Sequence, residues 1–269
     1  KRSGAAWSPD LAAWAALLIL AAVVPNVYSS YTVQVTSLKV AALRALVLIA
    51  AGLWLGGGLL WNRIEFVRSP ANVAALVYAG VALLGALASP HRELGIQEFW
   101  RIGFFVLLFF VTASVAATRL RVLGLLAAAG AGCAWATGYA FVQAMGLDPV
   151  PWRTDFAGRL FASLGNPNIL AGYLVIAIHF LAALPLGERA AWLRAVAAGA
   201  GLAGGVCLAM TQSKGAWLAF AFSLVARGLC AAWIRYWPRL RASVVRGDAS
   251  AAAEGEESVR RGFGSSRVI

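Results

Sequence analysis

The sequence predicts an all-α protein: a polytopic transmembrane bundle of about eight helical spans, followed by a polar tail. Three observations predict it. The 269 residues are 61% hydrophobic and only 13% charged, whereas soluble domains carry about 25% charged residues. Mean hydropathy is +0.76. The apolar residues also fall in runs that suit about 30 Å of hydrocarbon, which a helix crosses with about 20 residues. This composition excludes an ordinary soluble domain. It also excludes disorder over most of the length, because disordered chains are polar and charge-rich.

The runs lie near 11–28, 39–60, 71–89, 101–117, 122–146, 167–186, 190–210 and 214–234. The first ends at Pro25-Asn26 with no small-x-small cleavage site after it, so it reads as a retained span and not a cleaved leader. The second follows Lys39 and carries Arg44 inside it. The third and fourth flank a short loop with Pro90 and His91, and Arg101 opens the fourth. The fifth carries Gly124, Gly130, Gly132 and Gly138, small residues that let helices approach closely in lipid. The sixth opens at Asn166-Pro167. The seventh repeats the small-residue character with Gly199, Gly201, Gly204 and Gly205. The eighth opens at Ser213. Residues 238–269 are polar, with no periodic apolar face, and read as a disordered tail. The organisation is therefore a bundle over 1–237 and a tail over 238–269.

The net charge is +12, from 23 Lys and Arg against 11 Asp and Glu. Most of the basic residues stand between the apolar runs, where they set topology and meet anionic lipid, so nucleic acid is not the expected partner. With the N-terminus inside, the inner segments and the tail as far as Arg246 hold twelve Lys and Arg, against seven outside. The positive-inside rule then gives an N-in, C-in chain.

Cys133, Cys207 and Cys230 all lie in apolar runs without metal-ligand or disulfide spacing, and read as small buried hydrophobes. There is no phosphate-binding glycine loop and no zinc-type cluster, so no metal or cofactor is expected. His91 and His179 read as packed or hydrogen-bonded residues. The spans lack acidic residues, which argues against a proton-relay transporter.

The outer segments hold the chemistry. The longest, between the fifth and sixth runs, ends in Gly158-Arg-Leu-Phe-Ala-Ser-Leu-Gly165-Asn-Pro-Asn168. Asn166 is a favoured N-cap, and Pro167 loses no needed hydrogen bond at the first helical position. The start of this helix attracts anions, and Arg159 stands close enough in sequence to fold back over it. Ser213 caps the last span, which places Lys214 in a first turn, where a cation opposes the helix dipole. A residue set against its local preference points to another task, such as holding an anion. Arg101 pairs with Glu98 on one helix face. A charge such as Arg44 within a span costs roughly 2.5–3.5 kcal/mol on insertion scales and faces the bundle interior or water. The expectation is an outward basic cavity lined by Arg44, Arg101, Arg159 and Lys214, whose guest is an anion with a lipid tail or a large polar body.

The stretch from Gly158 to Leu174, with its Gly-Arg and Gly-Asn-Pro-Asn and the Ala-Gly-Tyr-Leu that follows, resembles the O-antigen ligase and O-antigen polymerase family. The turn Thr211-Gln-Ser-Lys-Gly215, one helix pair later, is similar to that family's Thr-x-Ser-Arg-Gly. The resemblance implies a polytopic glycosyltransferase in the bacterial cytoplasmic membrane. Such an enzyme moves a glycan from undecaprenyl pyrophosphate to a lipid, glycan or protein acceptor at the outer face. It also implies that Arg159 and Lys214 bind the pyrophosphate, with Gly158, Gly165, Asn166, Pro167, Asn168 and Ser213 as motif positions and the catalytic residue unassigned. Lys214 stands where arginine is usual, which keeps the charge and loses the bidentate fork. Family members continue with a large outer loop and further spans. The expectation for this chain is an incomplete unit or a short variant needing a partner. The competing expectations are a bicarbonate-like anion transporter and a non-catalytic polyprenyl-lipid-binding protein.

Overall fold

The computed structural model describes residues 9–28, 35–60, 69–152, 156–184 and 191–237. The predicted tail, 238–269, lies outside them, as do Lys1, Arg2, Arg63, Arg68, Arg153 and Arg189, which entered the count of inner and outer charges. Among the described residues the regular structure is all helical: α1 (Pro9–Val23), α2 (Val35–Leu60), α3 (Pro70–Ala88), α4 (Arg92–Val115), α5 (Arg119–Ala144), α6 (Pro167–Ala183), α7 (Ala191–Met210) and α8 (Lys214–Trp237). Six of them, α2, α3, α4, α5, α7 and α8, are long and apolar enough to cross a membrane. The other two are apolar but shorter. This is the make-up of a multi-pass membrane protein.

Local chemistry sets the helix starts. Ser69 caps α3 by accepting a hydrogen bond from the Asn72 N–H, with Pro70 in the first turn. Thr118 does the same for α5 with the Arg121 N–H. The largest departure from the sequence reading is the start of α4, which begins at Arg92 and not at Arg101. The polar stretch continues the helix, and Glu98 and Arg101 lock one of its turns through a 2.5 Å ion pair one turn apart.

The helices divide into two units, Lys1–Ala216 and Trp217–Ile269. In the first, α1, α2 and α4 share a core of Ala13, Ala16, Leu17, Ala50, Ala51, Trp54, Val111 and Val115. The Lys39 ammonium donates to the Pro25 carbonyl, and Ala50 to Trp54 pack with Ala13 to Leu17, so α1 and α2 run antiparallel. Arg44 sits over the Phe104 ring at 5.3 Å, and Ala50 to Trp54 meet Val111 to Val115, so α2 and α4 run parallel. On α5, the Arg121 carbonyl accepts from Trp14 Nε1 at 3.3 Å and the Gly132 carbonyl from Asn26 Nδ2 at 3.0 Å, so α1 and α5 also run parallel. The α6 helix returns antiparallel to α5, and α7 antiparallel to α6. One end of the bundle therefore gathers the ends of α1, α5 and α7 with the starts of α2, α6 and α8. At the opposite end Arg121 Nη1 donates to the Val115 carbonyl at 2.8 Å.

Of the second unit, the described residues complete α8. Ser223 Oγ donates to the Phe220 carbonyl at 2.6 Å, and Trp233 stacks on Trp237 with centroids 4.5 Å apart.

Candidate functional site: the helix-end face

The approach to α6 is built from turns. Gly158 and Gly165 adopt the left-handed conformation, with φ of +76 and +71. A side chain is strained there, and glycine is not. Ala157 and Ala162 also have positive φ, a local cost that the surrounding contacts hold in place. Gly165 ends a 3₁₀ turn, Ala162–Leu164, and Asn166 then caps α6, its Oδ1 accepting from the Asn168 N–H at 2.8 Å. Pro167 is buried.

Arg159 folds back over this helix start, as its position in the sequence predicts. Its Nη2 donates to Asn168 Oδ1 at 2.9 Å. Its Nε donates to the carbonyl of Thr211, 52 residues away, at 2.8 Å. Thr211 is fully buried, and its hydroxyl donates to the Leu208 carbonyl at 2.7 Å and accepts from the Ser213 N–H at 3.4 Å. One guanidinium thus joins the Gly-Arg and Asn-Pro-Asn segment to the Thr-Gln-Ser-Lys turn. These bonds use Nε and Nη2. Ser213 is buried, and Lys214 is exposed in the first turn of α8.

Arg44 and Arg101 have partners of their own. Arg44 rests on Phe104, and Arg101 holds Glu98 through Nε at 2.7 Å and Nη2 at 2.5 Å. Arg159 is thus brought together with Asn166, Asn168 and Thr211, while Arg44 and Arg101 stand on the α2–α4 side of the bundle.

Sequence reasoning missed the polar network behind this face. Asp148 accepts from the Tyr139 hydroxyl at 2.6 Å, Gln143 Nε2 at 2.6 Å, Trp152 Nε1 at 2.9 Å and the Val150 N–H at 3.0 Å. Burial pushes its carboxyl up, but these donors outweigh burial and hold it below the ordinary aspartate value. Gln143 Oε1 also accepts from the Ala162 N–H at 2.7 Å, which ties the network to the turn before α6. Trp152 meets Phe161 edge-on at 5.2 Å and lies 5.7 Å from Tyr28. Deeper in, Ser163 Oγ donates to Asn26 Oδ1 at 3.1 Å. The available signals were Asp148 in a proline-rich segment just past α5, and an asparagine after Pro25 at a span end.

Cys133 and Cys207 are buried, Cys230 is exposed, and all three are free. Among the described residues no three His, Cys, Asp or Glu gather into a metal-binding group. No protein-family model, curated protein or solved structure matches this chain.

Proposed function

We propose that the chain is a homologue of the membrane glycan ligases and polymerases, and that its helix-end face holds the pyrophosphate head of a polyprenyl-linked glycan. In this reading eight helices span the cytoplasmic membrane with both termini inside, and the face of Arg159, Asn166 and Lys214 opens outside. The observation that carries the reading is the Arg159 clamp, which joins Asn168 to the Thr211 carbonyl. It sets a delocalised cation over the N-terminus of α6, with Lys214 opening α8. Both features favour a multivalent anion. In a transfer reaction the acceptor hydroxyl oxygen bonds to the anomeric carbon and gives up its proton to water, the bond from that carbon to the carrier's phosphate oxygen breaks, and polyprenyl pyrophosphate leaves with the electron pair. Cations fixed at that oxygen stabilise the charge as it develops. Arg159 supplies a planar fork and Lys214 a point charge.

The test uses the chain in lipid nanodiscs with radiolabelled undecaprenyl-pyrophosphate-linked glycan. Charge removal by R159Q with K214Q is expected to weaken binding at least about tenfold, which corresponds to about 1.4 kcal/mol. Unchanged binding overturns the proposal. Transfer to an added acceptor supports ligase activity, and bicarbonate flux in liposomes without carrier binding replaces it with transport.

A further inference from the structure

The α3–α4 hairpin sets the depth of a second charged group. Helix α3 is 19 residues of apolar sequence without a charge, about 28 Å at about 1.5 Å per residue, which suits the hydrocarbon thickness. Gly95 of α4 packs on the backbone of Ala86. Arg101 lies six residues beyond Gly95, and on an antiparallel neighbour that level is Gly80, near the middle of α3. Yet Arg101 and Glu98 keep side-chain exposures of 60% and 61%, and Arg44, level with Phe104, is exposed as well. Arg101 and Glu98 therefore stand uncovered beside a helix that carries no charge of its own, and Arg44 stands uncovered on α2 at the level of Phe104.

Lipid tails do not tolerate this, and charges within spans face water or a counter-charge. Side chains on a helix lean toward its N-terminus, and arginine stems extend along apolar surface while the head seeks a polar setting. Helices α2 and α4 run parallel, so both arginines lean toward the same end of the bundle, the end that carries the Arg159 clamp. Two arginines against one glutamate leave a surplus of a single positive charge. Glu98 occupies Arg101 on one side, and Arg44 rests on the Phe104 face.

We propose that Arg44 and Arg101 form a lateral lipid-phosphate site on the α2–α4 flank, occupied by the headgroup of an anionic glycerophospholipid. One surplus charge matches a singly charged phosphodiester better than a diphosphate. The guanidiniums offer the donors that phosphate oxygens accept, and Phe104 lies beside the acyl chains. The site is separate from the Arg159 face and does not depend on what that face binds.

The test is native mass spectrometry of the full chain released from nanodiscs of phosphatidylcholine containing phosphatidylglycerol. The wild type is expected to retain phosphatidylglycerol selectively. Retention should fall roughly tenfold in R44Q/R101Q, rise in E98Q, and persist in R44K/R101K, which keeps the charge. R159Q should leave it unchanged, which separates this site from the pyrophosphate reading. Wild-type retention in R44Q/R101Q, or retention that does not distinguish the two lipids, overturns the proposal. So does equal loss in R44K/R101K, which marks a structural effect, or displacement by inorganic phosphate, which marks a free-anion site.

Discussion

The junction of α1, α5, α6 and α7 and the isolated flank of α3 are both made of apolar helices, but different forces hold them. At the junction, small residues bring backbones together and polar side chains join positions far apart in sequence. Asn26 reaches Gly132, Ser163 reaches Asn26, and Arg159 reaches Thr211. A third of the α5 span is buried, against 6% of the α3 span. Helix α3 leans on α4 with Ala86 as its one buried residue and Asn72, Ala75, Ala79 and Ala82 half-buried, and leaves the remainder of its surface exposed. In a membrane, apolar exposure carries no penalty, so burial of hydrocarbon does not drive association there. What distinguishes the junction is close packing and satisfied polar groups, and those are what a functional face needs to stay rigid.

The largest expected effect breaks the junction by volume. A Cβ at Gly132 would lie 2.9 Å from the Ala22 carbonyl oxygen and 3.0 Å from that of Ala21, both backbone atoms that cannot swing aside. Gly132→Val is expected to cost about 2–3 kcal/mol, read as a lowered unfolding midpoint in detergent. Gly80→Ala on α3 meets open space and should stay within about 0.5 kcal/mol of wild type. Equal responses would erase the distinction between the two regions.

A smaller effect probes the network behind the face. Asp148→Asn keeps one acceptor but sets an amide N–H against a donor, and should cost about 1 kcal/mol. The folded state favours the Asp148 carboxylate, since its pKa is lowered. Its contribution is therefore complete above the unfolded value of about 3.9 and is lost as pH falls through the lowered folded value. The stability of D148N should accordingly change less than that of wild type below about pH 4. An identical acid profile would remove Asp148 from the set of groups holding the turn.

Much of this was legible in the residues. The apolar runs marked all eight helices, because a span must be about 20 residues long and nearly free of charge. Asn166-Pro167 marked the start of α6 because capping is local chemistry. Arg159 was legible as a residue near that start, but not as a clamp. Its second partner is a backbone carbonyl at Thr211, and a carbonyl leaves no trace in sequence. Asp148 was hidden for a related reason: its donors Tyr139 and Gln143 lie on an apolar helix, where they read as lining. The start of α4 was hidden because Glu93, Glu98 and Arg101 make the first turns look like loop. The Asn26–Ser163 pair, 137 residues apart, comes from the fold alone.

The central claim is that the turns joined by Arg159 form one face on the outer surface of the membrane. Labelling of introduced thiols in intact cells, with Cys230 replaced by serine, tests it most directly. Leu147→Cys and Gln212→Cys are expected to react with an impermeant maleimide added outside, and Leu120→Cys only after permeabilisation. Leu147→Cys and Gln212→Cys on opposite sides, or Leu120→Cys labelled together with them, would contradict the account.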